Sequence, residues 1–397
     1  MRVLMLTTSY PRHSGDFAGI FVHELARHLV RSGVEVMVAA PHHTGAAAAE
    51  RREGVEVRRF RYMWPEYRQT LCYGYGLPEN LKAAPGRKLL LPPLLAAFLA
   101  QAFRHGRRAD LFHAHWTLAG LAALAAGRML GKPVILNLHH GQLGGWFGSL
   151  NRVVVEKSDL VLCNSRFNQG LLLPVARPKA CEVVPPGIDV YKFRPAAGFV
   201  RPPEIEAFAS PGTPLVLAVG RLIELKGYDY LLEGLALVEH EPPPRLVIVG
   251  DGPRKADLIQ KARALNLADR VLFTGLVPPD RTPLFFRAAD VFVHPAVVDR
   301  QGGTEGLGMT VLEAMACGVP CVGSRVGGIQ ETIQDRRTGY LVEQKNPAAL
   351  AEKITILLKD RDLRARMSME ARRFLVEHYS WEAIARTTLD HYRRLAG

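Results

Sequence analysis

LVLAVGRLIELKGYDYLLEGLALVEHEPPPRLVIVGDGP, residues 215–253, runs an apolar strand into a glycine-bounded loop, a helix, and a second apolar strand ending in another glycine turn. Leu215 to Val219 and Arg245 to Val249 are near-continuous apolar runs rather than alternating ones, so both faces of each strand are covered. Buried strands separated by helices make a parallel sheet with helices on both sides. Toward the C-terminus the same order continues through strands at Val271 to Thr274, Val291 to Val293 and Pro320 to Gly323. Toward the N-terminus it recurs through Arg2 to Leu6, Glu35 to Ala40, Leu111 to Phe112, Val134 to Leu138 and Leu160 to Cys163, with an amphipathic helix over Phe21 to Arg31. The break falls in the Pro-, Gly- and Ala-rich stretch from Pro185-Pro186-Gly187 through Pro214. The pattern predicts an α/β protein of two Rossmann-like domains facing one another across a cleft, with ligands beyond the C-terminal ends of the strands.

Composition narrows the classes. With 397 residues, 48% hydrophobic content and a mean hydropathy near zero, the chain reads as globular and soluble, and long enough for two domains. Cys72, Cys163, Cys181, Cys317 and Cys321 are too scattered for a disulfide framework and lack zinc-site spacing, which predicts core thiols in a reducing, cytoplasmic compartment. Met1 to Leu6 reads as a first strand rather than a signal peptide. The longest apolar stretch, Leu89 to Ala100, is too short to span a bilayer and contains Pro92 and Pro93. The net charge of +13 is lopsided: residues 1–195 carry 25 Lys/Arg against 13 Asp/Glu, and residues 196–397 carry 26 against 25. Bases cluster at Arg51-Arg52, at Arg58, Arg59 and Arg61, and from Arg104 to Arg108. This excess predicts an anionic partner for the first half. No helix-turn-helix, zinc-finger or RNA-binding signature accompanies it, so nucleic acid is not expected.

The loops after the strands hold the candidate chemistry. Gly220-Arg221 through Lys226-Gly227 offers two cations and two glycines but is no Walker A motif, so Arg221 and Lys226 read as side-chain clamps on a diphosphate. Gly250-Asp251-Gly252-Pro253 is a tight turn, and at Gly275-Leu276-Val277 main chain can meet a flat base. Glu305 and Glu313 flank Gly306-Leu307-Gly308, ahead of a helix predicted over Met309 to Cys317. The first amides of that helix attract phosphate oxygens, and Glu313 is expected in its first turn. The first half contributes Gly19, at the start of its first long helix, and His139 with His140 after a strand.

In order along the chain, several motifs resemble retaining glycosyltransferases of family 4, which have the GT-B fold of two Rossmann-like domains. The resemblance rests on Tyr10-Pro11 with Gly19-Ile20-Phe21-Val22, Lys132-Pro133 leading to His139, and Gly187-Ile188-Asp189. It continues through Gly220-Arg221 to Lys226-Gly227, Gly250 to Pro253, Glu305 to Gly308, and Glu313-Ala314-Met315-Ala316-Cys317-Gly318. Tyr379-Ser380-Trp381 and the helix to Tyr392 look like the family's C-terminal helix, which crosses back onto the first domain. The resemblance implies an acceptor domain over 1–195, a nucleotide-sugar domain over 196–376 and a returning helix over 377–397. It further implies that Arg221 and Lys226 bind the donor diphosphate and stabilise departing charge, that Glu313 holds the ribose hydroxyls, and that Glu305 positions the transferred sugar. The amides of Gly306, Leu307, Gly308 and Met309 would lie near sugar and phosphates, Leu276 and Val277 near the base, and Gly19 and His139 against the donor. No metal and no cofactor are implied. The donor would be a UDP- or GDP-linked hexose, and the acceptor a glycan or lipid-linked sugar of the cell envelope. The basic first half and Leu89 to Ala100 predict docking on an anionic membrane surface at its inner face. A sugar-nucleotide epimerase would share the architecture, but the Glu305 to Glu313 pattern argues against it. A non-catalytic nucleotide-sugar or anionic-polymer binding protein would not need Arg221, Lys226, Glu305 and Glu313 all intact.

Overall fold

A computed structural model describes residues 1–397 apart from 14, 75 and 140–147 and 197, with residue 78 described for its backbone only. Two compact units emerge, Met1–Gly187 with Trp381–Gly397, and Ile188–Ser380. They part at 187/188, eight residues before the expected 195/196 boundary, and again at 380/381 rather than 376/377.

The first unit holds strands β1 (Arg2–Thr7), β2 (Glu35–Pro41), β3 (Ala49–Arg52), β4 (Val55–Phe60), β5 (Leu111–His115), β6 (Val134–Leu138), β7 (Leu160–Cys163) and β8 (Cys181–Val183). Their order in the sheet is β3-β4-β2-β1-β5-β6-β7-β8, and every neighbouring pair is parallel except β3 with β4. The second unit holds β9 (Leu215–Val219), β10 (Arg245–Val249), β11 (Val271–Gly275), β12 (Val291–His294), β13 (Cys321–Ser324) and β14 (Gly339–Val342), ordered β11-β10-β9-β12-β13-β14 and all parallel. Both sheets are thus doubly wound. The chain reverses its direction of travel across the sheet between β1 and β5 in one unit and between β9 and β12 in the other. At such a reversal the loops leaving the two strands diverge and open a crevice for ligand.

Continuous apolar strands follow from burial on both faces. In the second unit Leu215, Leu217, Val247 and Phe292 pack with Val311 and Met315 on one side. Their neighbours Val216, Ala218, Ile248 and Val293 pack with Leu231 and Leu357 on the other. In the first unit Leu4 and Leu6 face Phe98 and Phe112, while Val3 and Met5 face Leu25, Leu29, Ile384 and Tyr392. Strand β3 escapes apolar pattern reading because its sequence, Ala-Glu-Arg-Arg, is half exposed and pairs at the sheet edge.

The stretch Leu89 to Ala100 lies mostly in the helix Leu91–Gly106, which buries Leu94, Phe98 and Ala102 along one face and leaves Leu89 81% exposed just before it. Pro92 and Pro93 fall in its first turn, where no amide is needed. The C-terminal helix Trp381–Ala396 packs within the first unit against the helix Ile20–Arg31. Gly187 lies so close to Trp381 that a Cβ there would sit 2.5 Å from the indole. Of the basic cluster, Arg59 is not on the surface. It is 5% exposed, hydrogen-bonded to the carbonyls of Pro11 and Ala47 and paired with Glu50 at 2.6 Å.

Candidate functional site

In the second unit the loop leaving β9 and the segment leaving β12 meet. Strand β12 ends on His294, and Lys226 closes the short turn Glu224–Lys226 before the helix Tyr228–Ala236. Lys226 Nζ donates to Glu305 Oε2 at 2.5 Å, and His294 Nε2 lies 3.1 Å from the same oxygen. The Thr310 hydroxyl is 3.3 Å from His294 Nδ1. Burial alone would raise the Glu305 carboxyl, but the His294 hydrogen bond and the Lys226 charge outweigh it and hold the group well below the carboxylate range. Burial, with Lys226 adding to it against the Glu305 hydrogen bond, lowers His294 and keeps it neutral. A carboxylate can only accept, so His294 donates through Nε2 and accepts a hydrogen bond from the Thr310 hydroxyl at Nδ1. The Tyr228 hydroxyl is buried with no partner among the described residues, and it occupies space that a Cβ at Gly220 would contest at 2.9 Å.

The helix after Glu305 spans Met309–Ala316 and is capped by Gly308 in left-handed backbone, φ 83°. Its first amides lack intrahelical acceptors. Glu313 is the fifth residue of this helix, so it stands in the second turn rather than the first, and attraction to the helix dipole does not account for it. No hydrogen bond or ion pair to its carboxyl occurs among the described residues. Burial pushes Glu313 up to about 7, with Lys192 opposing. The Arg221 side chain is exposed on the loop after β9. Leu276, 81% exposed, and Val277 follow β11, two strands away from β9.

In the first unit Gly19 caps the helix Ile20–Arg31 at φ 65°, where a Cβ would lie 2.1 Å from the Ser9 carbonyl oxygen. Only glycine allows the loop after β1 to close this tightly. Phe21 then reaches the ring of His139, 4.5 Å between centres. His139, 8% exposed, follows β6 and also meets Trp116 at 4.9 Å. His140 lies outside the described residues. His139 Nε2 is 2.9 Å from His115 Nδ1, and His113 Nδ1 is 2.6 Å from the Tyr392 hydroxyl.

Lys226 and Glu305 are therefore brought together, with Gly306, Leu307, Gly308, Met309 and Glu313 following directly on the chain. Sequence reasoning missed His294, Thr310 and Tyr228, and in the first unit His113, His115 and Trp116. The apolar pattern ends β12 at Val293 and β5 at Phe112, whereas the strands continue to His294 and His115 at their ligand ends. Buried polar residues in otherwise apolar strands were the available signal. Among the described residues no three His, Cys, Asp or Glu side chains gather as a metal-binding set.

Comparison with known proteins accords with this geometry. Residues 18–192 match the model of Glycosyltransferase Family 4, and residues 201–386 that of Glycosyl transferases group 1. The chain is 30% identical, over 99% of its own length and 98% of the relative's, to a GDP-mannose-dependent alpha-(1-6)-phosphatidylinositol monomannoside mannosyltransferase of Mycobacterium tuberculosis. It is also 30% identical to a D-inositol 3-phosphate glycosyltransferase of Salinispora tropica, over 96% of this chain and 81% of that one. Among solved structures, sucrose-phosphate synthase from Thermosynechococcus elongatus superposes with a TM-score of 0.76 at 24% identity, covering 100% of this chain and 99% of that one. The Anabaena HepE protein in complex with UDP gives 0.73 at 20% identity, with both chains covered in full. Two doubly wound sheets, glycine-bounded loops at each reversal and full-length similarity together make this chain a glycosyltransferase of family 4 with the GT-B fold.

Proposed function

We propose that the protein transfers a hexose-type sugar from a nucleoside-diphosphate sugar to an acceptor hydroxyl with retention of anomeric configuration and without a metal ion. The observation that carries this reading is the Glu305 carboxylate, held ionised between Lys226 and His294 just before the helix Met309–Ala316. Two donors already meet one of its oxygens, so Glu305 is fixed in place and has no proton to give. It acts by orienting the sugar and by its charge. An ammonium has three N–H donors, and Lys226 spends one on Glu305, leaving others for the diphosphate. Arg221, exposed on the same loop, supplies a second cation. As the bond from the anomeric carbon to the diphosphate breaks, these cations and the amides at the helix start stabilise the charge on the leaving oxygens. The acceptor oxygen attacks from the same face, its proton passing to the departing phosphate, which retains configuration. Glu313, whose carboxyl has no partner among the described residues, accepts from the ribose hydroxyls. Leu276 and Val277 flank the base, and Gly19 and His139 meet the donor sugar or its phosphate.

The mannosyl and inositol-lipid chemistry in the relatives' names supports a GDP- or UDP-linked donor and a glycolipid or cell-envelope acceptor. Exposed Trp64, Tyr67 and Leu89, with Arg68 and Arg87 in the same segment, support peripheral docking from the cytoplasm on an anionic membrane face. No described helix is long and apolar enough to cross a membrane.

The test is nucleoside diphosphate release from a panel of nucleotide sugars with inositol-lipid acceptors, in EDTA, with NMR of the product's anomeric centre. Turnover with retention is expected, and Glu305→Gln should lower kcat by about 100-fold or more. Full turnover by that variant, or an inverted product, overturns the mechanism. Co-sedimentation with liposomes that is indifferent to anionic lipid overturns the membrane docking.

A further inference from the structure

Three histidines on one face of the first sheet are linked in a row that the transfer chemistry does not by itself require. His113 and His115 are two residues apart on β5 and so share a face, with ring centres 4.5 Å apart. In the sheet register His115 pairs with Asn137 of β6, and His139 stands two residues further along that chain, on the same face. The His115 and His139 rings lie within 10° of one plane with centres 5.2 Å apart, and their facing nitrogens are 2.9 Å apart. That combination is an edge-to-edge, in-plane N–H···N hydrogen bond, not a face-on stack. Phe21 and Trp116, both tilted about 50° to the His139 ring, brace it from outside this plane. Trp116 itself is held at φ 66°, a conformation that non-glycine residues adopt only where their surroundings impose it.

We infer that His115 is a positioning residue, which holds the His139 imidazole in one plane and in one tautomer, with the proton on Nδ1. One of the two facing nitrogens must donate. His115 Nε2 is buried with no partner among the described residues. A buried N–H with nothing to accept it is rarer than a buried bare lone pair. The His115 proton therefore sits on Nδ1 and is donated to His139 Nε2, which leaves the His139 proton on Nδ1. His115 is 1% exposed, and burial keeps it neutral, as this arrangement requires. Behind it, His113 Nε2 is likewise buried with no partner among the described residues, so the His113 proton sits on Nδ1 and is donated to the Tyr392 oxygen at 2.6 Å, and the C-terminal helix fixes the far end of the row. A defined tautomer decides whether the outer nitrogen of His139 presents a donor or a lone pair to what it faces.

The inference rests on His139 facing the donor, and the experiment separates the two. Long-range 1H–15N correlation spectra of 15N-histidine-labelled protein, with His139 assigned through His139→Asn, should show it as the Nδ1–H tautomer. An Nε2–H tautomer overturns the inference whatever the kinetics. His115→Leu should lower kcat by about 10-fold with little change in the donor KM. His115→Asn keeps an N–H near the lost Nδ1 and should recover most of that loss. Wild-type kcat in His115→Leu, with only the melting temperature reduced, overturns positioning in favour of packing. If His115→Leu does not fold, the wild-type spectrum and His115→Asn still decide. Full turnover by His139→Ala would instead remove the donor-facing role of His139, leaving the tautomer measurement to stand alone.

Discussion

Glu305 and Glu313 are eight positions apart and behave as opposites. Glu305 receives a lysine and a histidine N–H and stays ionised; Glu313 has no described partner and is pushed up to about 7 by burial, against an ordinary 4.5. Because the folded value lies above the unfolded one, the contribution of Glu313 to stability is fully present below pH 4.5 and declines as pH rises toward 7. Glu313→Gln removes that decline. Urea unfolding at pH 5 and pH 8 should show the variant gaining on wild type at the higher pH, by at most about 3 kcal/mol. Equal differences at both pH values would mean that Glu313 is ionised as an ordinary carboxylate. His294→Leu removes a donor from a buried charge, and should cost about 1.5–3 kcal/mol of unfolding free energy as well as turnover. Unchanged stability in that variant would show that Lys226 alone satisfies Glu305.

At the scale of elements, what holds the Lys226 loop in place is one backbone position. Gly227 caps the helix Tyr228–Ala236 at φ 64°, and a Cβ there would lie 2.0 Å from the carbonyl oxygen of Pro295, the residue after β12. Gly227→Ala therefore meets left-handed strain of about 1–2 kcal/mol plus a backbone clash that must push the loop after β9 away from β12. A fall in Tm of at least about 4 °C is expected, together with a lower kcat/KM, because Lys226 moves with the loop. Gly212→Ala is the control: it is also left-handed, at φ 87°, but with nothing within 4 Å of its Cβ, so it bears strain without displacement. Equal losses of kcat/KM in both variants would show that the Pro295 contact is not what sets Lys226. On β4, Val55, Val57 and Arg59 are buried while Arg58 is exposed, so the charge run visible in the sequence is divided between the interior and the surface.

For the whole chain, the consequential choice is that its last 17 residues, Trp381–Gly397, belong to the unit with which it began. Trp381, Ile384, Leu389 and Tyr392 are buried there with Val3, Met5 and Leu25. At roughly 1.5–3 kcal/mol per buried side chain, these four contribute about 6–12 kcal/mol, as much as the whole stability of many domains. A chain ended after Ser380 should therefore lose the unfolding transition of Met1–Gly187 while keeping that of Ile188–Ser380. Hydrogen exchange resolved by peptide reads the two separately. Native protection of β1 and β5 in the shortened chain would show that the first unit stands without its returning helix.

Parallel, helix-covered strands and the doubled architecture can be read from the chain alone, because burial on both faces and the glycine at a strand's end are written locally. Arg221, Lys226, Glu305 and Glu313 stand out as candidates for the same reason, each lying in a glycine-bounded loop or beside a helix start. What those residues meet follows from the folded arrangement of the strands. That Lys226 and His294 share one oxygen of Glu305 depends on β12 lying beside β9, 72 residues apart at their nearest ends. That His115 reaches His139 depends on β5 lying beside β6 in one register. Charge state and tautomer follow from such neighbours, and strand order is set by the packing of the whole core, which no local pattern encodes.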